Sequence, residues 1–336
     1  MYLEINQIHH GDCRELLPKI EPNSIALSFW SPPYHVGKEY ERGMTFKQWQ
    51  ELLRDTIALH FPILKPGGFL AINIGDILVF RDERMLKIQA ANPSRHTHAI
   101  TREMVLAAKE KYPHYNRYQL AELLGCSEQT IDRRLNGNNI RGGKYATQTR
   151  LKIVGGFIEE CGLAAGLFPY DQRIWVKDPA WANSQWHTLS YRAVDEFEHV
   201  YIFWKPGITV VDRKRLTRQE WSDWGSRGVW PIPSVRSNDD HEAKFPLELA
   251  RRVIRLFSAE GDTVLDCFMG SGTTAVAAIR EKRLYIGIEI LEKYVKLARK
   301  NCRAEIAHLP ASSDTQTKDP ERSVQLRLIK DKPSKG

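Results

Sequence analysis

The chain has 336 residues, enough for one large α/β body with an insertion or for two domains. Its 42% hydrophobic content supports a real core and excludes global disorder. No apolar stretch is long enough to cross a bilayer and no Lys/Arg-led apolar leader opens the chain, so a soluble cytoplasmic protein without a membrane partner is expected. The formal charge of +8 favours a polyanionic partner such as nucleic acid, and the five scattered cysteines show neither metal-ligand spacing nor a disulfide framework.

Residues 4–10 lead into Gly11-Asp12-Cys13, a turn before the short helical stretch 14–17. Asp12 either ends a strand, placing a carboxylate at a sheet edge, or caps that helix. The apolar run 25–30 reads as a buried strand. Ser31-Pro32-Pro33-Tyr34 must stop it, because two consecutive prolines cannot extend a sheet ladder. In an open α/β sheet, ligands bind at such carboxyl ends. There the Ser31 hydroxyl and the Pro32 carbonyl offer two acceptors for the N–H groups of an exocyclic amine, and Tyr34 offers a ring on which a base can stack. Standing alone, the motif would read as a proline-capped turn. Residues 35–45 lack periodicity, as a loop over a site would. The spacing over 46–64 predicts an amphipathic helix ended by Pro66-Gly67-Gly68, and 69–74 predicts a second buried strand. A helix between two apolar strands is a βαβ unit, so the sheet is expected to be mostly parallel, with helices on it.

From about 81 to 150 the chain is polar and basic. Leu120, Leu123 and Leu124 share a helical face with Ala121; Gly125-Cys126-Ser127 makes a tight turn, with Ser127 able to cap the next helix. That helix, 127–135, buries Ile131 and Leu135 and leaves Glu128, Gln129, Thr130, Arg133 and Arg134 outward. The pattern is that of a helix-turn-helix, whose second helix enters a major groove. Eight Lys/Arg against three Asp/Glu between Lys111 and Lys152 add local positive charge, and Asn138, Arg141 and Lys144 follow in a glycine-rich segment suited to a phosphate backbone. An ordinary two-helix hairpin with a solvated basic face fits the same pattern.

Strands are predicted again at 172–177 and 199–204, amid a dense set of tryptophans (Trp175, Trp181, Trp186, Trp204, Trp221, Trp224 and Trp230), most of them expected as packing or surface-anchored rings and one or two as the lining of a base pocket. The segment 214–224 mixes charge and aromatic residues, as a solvated helix or a DNA contact would. Next come a helix over Leu247–Phe257 and a short strand over 262–266. The strand runs into Cys267-Phe268-Met269-Gly270-Ser271-Gly272-Thr273-Thr274 and a further helix. A strand, a glycine-rich turn and a helix N-terminus form a nucleotide-type site, and the absence of Gly-Lys-Ser/Thr argues against a P-loop. Glu289, ending the strand 284–289, is placed to hydrogen-bond both hydroxyls of a ribose. A helix over 292–302 and a disordered polar tail from 309 complete the chain.

Taken together, Ser31-Pro32-Pro33-Tyr34, the stretch from Asp266 to Thr274, Lys244-Phe245-Pro246 and Gly287-Ile288-Glu289 resemble the motifs of the amino-methylating DNA methyltransferases that use S-adenosylmethionine. The motif order, catalytic before cofactor, resembles the β group of that family. The resemblance implies a Rossmann-like fold, formed by residues 1–80 and 170–308 around a helical insertion at 81–169, with 309–336 as tail. It implies that Asp266, Phe268, Gly270 and Gly272, with Ser271 and Thr273, surround the methionine end of the cofactor. Lys244 and Phe245 would close that side, Asp12 and Cys13 would lie near the adenine, and Glu289 would hold the ribose. The family usually has Asp-Pro-Phe where this chain has Asp266-Cys267-Phe268. Serine at the head of the tetrapeptide resembles the cytosine-N4 enzymes, which implies methylation of a flipped cytosine in double-stranded DNA within a prokaryotic cell, with a cognate restriction endonuclease as partner. Adenine-N6 methylation, methylation of RNA or a protein amide, and a regulator that only senses S-adenosylmethionine are the alternatives.

Overall fold

A computed structural model of the chain describes residues 2–34, 44–81, 87–88, 100–136, 146–147, 149–179, 193, 195–235 and 244–308. The first half contains β1 (Gln7–His10), α1 (Cys13–Leu16), β2 (Ile25–Trp30), α2 (Phe46–Ile63), β3 (Leu64–Ile74), β4 (Ile77–Arg81) and β5 (Lys87–Ile88). Next come α3 (Arg102–Lys111), α4 (Arg117–Leu123), α5 (Glu128–Asn136), β6 (Ala146–Thr147), β7 (Thr149–Lys152) and α6 (Gly155–Ala164). The remainder holds β8 (Phe168–Val176), β9 (Phe197–Trp204), β10 (Val229–Pro231), α7 (Leu247–Phe257), β11 (Thr263–Asp266), α8 (Thr273–Arg280), β12 (Leu284–Glu289) and α9 (Glu292–His308).

Eight strands form one sheet in the order β1-β12-β11-β2-β3-β9-β8-β10. Within it β9 alone runs against its neighbours. All six residues of β2 are buried, because helices cover both faces of the sheet and leave no side for polar residues. Side-chain alternation divides the core in two. Leu27, Phe29, Phe69, Ala71, Val200 and Ile202 pack with α7, α8 and α9, whereas Trp30, Leu70 and Ile72 pack with α1, α2 and α6. The sequence-predicted α/β class with a mostly parallel sheet therefore holds.

Two boundaries differ from expectation. Helix α2 ends at Ile63 and β3 starts at Leu64, so the strand runs through Pro66-Gly67-Gly68 instead of following it. Gly67 takes a left-handed φ of 80°, and residue 205 stays paired across the irregularity: Gly67 N–H donates to the Lys205 carbonyl and Lys205 N–H to that of Gly68. Helix α6, expected inside the insertion, belongs to the main body. A Cβ on Gly162 would sit 2.3 Å from the Phe203 ring and one on Gly155 2.5 Å from the Tyr201 hydroxyl, so the helix lies directly on β9. The insertion instead opens at an antiparallel stem of β4 and β7, whose base is tied where Val154 N–H donates to Asp76 at 3.0 Å.

Beyond the stem, α3, α4 and α5 enclose their own small core of Val105, Ala108, Leu120, Ala121 and Ile131. Asn116 and Gln119 form a capping box on α4, Gly125 turns the chain at φ 61°, and Ser127 accepts from Thr130 N–H at the start of α5. Two expectations fail here. Leu123 is exposed, since the buried arc of α4 runs through Leu120, Ala121 and Leu124. Thr130 is buried beside Ser127, with their hydroxyls 3.0 Å apart, and does not face outward. The tail from 309, the loop 35–43, Trp181 and Trp186 lie outside the described residues. Among the described residues no helix is long and apolar enough to cross a membrane.

Candidate functional site

The parallel strands end along one edge of the sheet, and that edge opens into a cavity of about 360 Å³, the size of a small-molecule site. Because β2 and β11 are neighbours, with Leu27 opposite Val264 and Ser28 opposite Leu265, their carboxyl ends emerge side by side. Ser31-Pro32-Pro33-Tyr34 and the glycine turn from Phe268 to Ser271, far apart in the chain, line this one cavity.

The turn is held from behind. Asp266 is fully buried; one carboxylate oxygen accepts from Phe268 N–H at 2.9 Å and the other from the Thr274 hydroxyl at 2.6 Å. Burial pushes its carboxyl up to about 7, against the pull of those two hydrogen bonds. Gly270 and Gly272 take left-handed φ values of 51° and 92°, which lets the turn close over the N-terminus of α8. Glu289 accepts from Gly270 N–H at 2.8 Å and Leu291 N–H at 2.9 Å. Burial raises its pKa, with those backbone donors working the other way. Cys267 is buried, between Asp266 and the Phe268 whose N–H that aspartate accepts.

Of the expected cofactor residues, Asp12, Cys13, Lys244, Phe245, Phe268, Gly270, Ser271, Thr273 and Glu289 line the cavity. Asp266 and Gly272 do not: the first shapes the turn, and the second packs against Ala298, where a Cβ would approach to 3.0 Å. Asp12 unites its two sequence readings, capping α1 through Arg14 N–H at 2.8 Å while facing the cavity; the Arg14 side chain on the same carboxylate lowers its pKa.

The tetrapeptide is clamped from both sides. Trp49 Nε1–H donates to the Pro33 carbonyl at 2.6 Å. Beneath β2, Trp30 Nε1–H donates to His60 Nε2 at 3.2 Å, Ser28 Oγ lies 2.9 Å from the same nitrogen, and His60 Nδ1 lies 2.6 Å from the Thr56 carbonyl. Burial holds His60 neutral, with a pKa of about 4. On the cavity side the Ser31 hydroxyl donates to Tyr34 Oη at 2.8 Å and Tyr34 donates to Glu198 at 2.6 Å. Asn73, Lys177 and Trp175 complete this wall. Asn73, Lys177 and Glu198 were not among the sequence candidates, whereas Trp175 belongs to the tryptophans from which a base-pocket residue was expected. One signal for Glu198 was present: in Phe197–Trp204 it shares the strand phase of Val200 and Ile202, so an acidic residue sits on a core face.

Trp175 is the described tryptophan at the cavity, and it is buried in the same core as Trp224 and Trp230. Leu216 and Trp224 anchor 214–224 in that core, so burial accounts for its aromatic content. On α5, Arg133 is exposed and Arg134 half-buried. Glu128 and Asp132 engage Arg117 of α4, at 3.7 and 2.9 Å. The Gln129 side chain and Asn138, Arg141 and Lys144 lie outside the described residues.

The family described as DNA methylase (N6_N4_Mtase) matches residues 25–300. The chain is 57% identical to the type II methyltransferase M.BglI of Bacillus subtilis over 98% of its own length and 96% of that protein. It is 26% identical to the DNA adenine methyltransferase YhdJ of Escherichia coli, covering 88% of this chain and 81% of YhdJ. Among solved structures it superposes on the Thermus thermophilus protein TTHA0409, complexed with S-adenosyl-L-methionine, with a TM-score of 0.60 at 24% identity, covering 90% of this chain and 95% of that one. For the PvuII cytosine-N4-specific DNA methyltransferase the values are 0.55 and 18%, covering 93% and 89%. At these identities the two superpositions establish the fold.

Proposed function

Because the chain belongs to the N6_N4 DNA methylase family, we propose that this type II DNA methyltransferase acts on the N4 amine of cytosine within a specific duplex sequence, as the modification half of a restriction system. The observation that carries this reading is a Ser31 hydroxyl, not a carboxylate, at the head of a rigid tetrapeptide facing the same cavity as the glycine turn. S-adenosyl-L-methionine, the methyl donor, supplies an electrophilic methyl group on sulfonium. The residues fit it. The left-handed Gly270 lets a ligand approach the turn closely, and the Glu289 carboxylate, already oriented by two backbone N–H groups, has lone pairs left for a ribose diol.

A base within a duplex cannot enter this cavity, so the target is rotated out of the stack, and Tyr34 and Trp175 offer the aromatic surfaces. The cytosine amine is a poor nucleophile, since its lone pair is delocalised into the ring. Accepting its two N–H bonds on the Ser31 hydroxyl and the Pro32 carbonyl draws the nitrogen towards tetrahedral geometry and localises that pair. No covalent enzyme intermediate is required, because the amine itself is the nucleophile. Sequence reading is assigned to α5, with Arg133 as its exposed cation.

The test is nucleoside mass spectrometry of duplex DNA methylated by the purified protein. N4-methylcytosine is the expected product. The same acceptors suit the N6 amine of adenine, and the likeness to YhdJ gives that reading its support, so N6-methyladenine in the digest overturns the assignment.

A further inference from the structure

The buried end of β9 carries a carboxylate to which the chemistry above gives no task. Glu198 is only 6% exposed. Its Oε1 accepts from the Lys177 ammonium at 2.9 Å, and Lys177 also reaches Asp195 at 3.2 Å. Its Oε2 accepts from the Tyr34 hydroxyl at 2.6 Å and from Asn73 Nδ2 at 2.8 Å. Tyr34 Oη in turn accepts from the Ser31 hydroxyl at 2.8 Å and from Asn73 Nδ2 at 3.1 Å.

These contacts have a direction. An ionised carboxylate only accepts and an ammonium only donates, so the Lys177–Glu198 end of the chain has one possible polarity. Burial works against the Lys177 charge, but the carboxylates of Glu198 and Asp195 outweigh it and raise the lysine pKa. The one Tyr34 hydroxyl proton goes to Glu198 at 2.6 Å in preference to the Asn73 carbonyl at 3.4 Å, and with either acceptor Tyr34 meets Ser31 only as an acceptor. The single Ser31 proton therefore points at Tyr34, and the lone pairs of the serine oxygen remain for a ligand.

We propose that Glu198, held by Lys177, fixes the direction of the Ser31–Tyr34 hydrogen-bond chain, so that Ser31 meets an incoming base only as an acceptor. Glu198 is thus a positioning residue that acts through Tyr34 and selects for an exocyclic amine. A thymine or guanine presenting a keto oxygen there would set lone pair against lone pair, with no compensating hydrogen bond. The inference rests on the reading that Ser31 receives the target amine, and it holds equally for cytosine N4 and adenine N6.

Glu198→Gln tests the polarity. Lys177 can only donate, so it keeps the amide oxygen of the new side chain on its own side and turns the NH2 group towards Tyr34. Tyr34 then has two acceptors left for its proton, Ser31 Oγ at 2.8 Å and the Asn73 carbonyl at 3.4 Å. The shorter contact takes it, so the chain reverses and the Ser31 proton points into the cavity. The single-turnover methyl-transfer rate is expected to fall on the order of 100-fold, as when a transition-state hydrogen bond is lost, with S-adenosylmethionine and DNA affinities within about twofold of wild type. Tyr34→Phe cuts the link and should cost about tenfold, leaving Ser31 free to rotate. Adding Glu198→Gln to Tyr34→Phe should then cost nothing more. Glu198→Asp, which keeps the acceptor polarity, should stay within about tenfold of wild type.

Equal cost of Glu198→Gln in both tyrosine backgrounds, or an aspartate variant as slow as the glutamine variant, would mean that Glu198 merely supports the fold and would overturn the proposal. Failure of the base assignment appears separately, as N6-methyladenine in the wild-type product, and the ratio between the two backgrounds reads the polarity in either case.

Discussion

Ser31 and His60 show how one strand end can be tuned from two sides. Ser31 faces the cavity and bonds only to Tyr34 among the interactions described for its side chain, so removing its hydroxyl should leave the walls standing. Ser31→Ala is expected to lower the methyl-transfer rate on the order of 100-fold while calorimetry finds S-adenosylmethionine affinity within about twofold of wild type. A parallel loss of both would place Ser31 in cofactor binding instead. His60 lies on the far side of β2 and is neutral at physiological pH, with its pKa lowered from 6.5 to about 4 by burial. In the unfolded chain it takes up a proton below about 6.5, whereas in the fold it does not until about pH 4. Its contribution is therefore complete above pH 6.5 and is lost as pH falls towards 4, by up to roughly 3 kcal/mol. Denaturant titrations of wild type at pH 7.5 and 4.5 should show that fall. His60→Leu should be less stable at pH 7.5, because Trp30 and Ser28 lose their acceptor, yet should lose less further stability at pH 4.5.

At the scale of strands and helices, the legible parts of the sequence were those whose cause is local. Two prolines end β2 whatever surrounds them, and the glycines of the 267–274 turn announce a left-handed backbone. The polar wall of Asn73, Lys177 and Glu198 was not legible, because it is assembled by register: Asn73 lies opposite Val200 and Trp175 opposite Glu198, pairings between strands distant in the chain. Asn73, in an apolar run, carries no motif of its own, and Glu198 carries only the strand phase it shares with Val200 and Ile202. Gly287 is a partial case: its place in Gly287-Ile288-Glu289 was legible, but the reason for a glycine there was not. It lies opposite both Ile8 and Asp266, and a Cβ there would come within 2.6 Å of the Ile8 and Met269 side chains. Met269 lines the cavity and its flexible end is the easiest part to move. Gly287→Ala is expected to cost about 1–3 kcal/mol of stability through overpacking. It should also weaken S-adenosylmethionine binding about tenfold as Met269 swings into the cavity. Calorimetry beside a denaturation curve separates the two effects, and unchanged affinity with lowered stability would show that Ile8 moves instead.

Over the whole molecule, the packing separates into two parts. The sheet and its helices carry the cavity, and α3 to α5 close on a core of their own beyond the β4–β7 stem. The sequence marked the second unit by its charge and turn chemistry but placed its end too late, because only the pairing of β7 with β4 and the packing of α6 on β9 reveal where the main body resumes. The net charge of +8 makes the whole surface attractive to DNA, so affinity alone does not identify the reading helix. Salt dependence does, when combined with turnover. Arg133 is exposed on α5, whereas Arg117, Glu128 and Asp132 are occupied in binding α4 to α5. Arg133→Ala is expected to weaken duplex binding about tenfold and to lower the slope of log affinity against log salt by about one if the side chain meets a phosphate. Should it meet a base edge instead, the slope stays and discrimination against altered sites falls by about 1–3 kcal/mol. In both cases kcat at saturating DNA should remain that of wild type, because the variant leaves the Ser31 cavity untouched. A drop in kcat at saturating DNA, with affinity unchanged, would mean that the three-helix unit acts on catalysis and not on recognition.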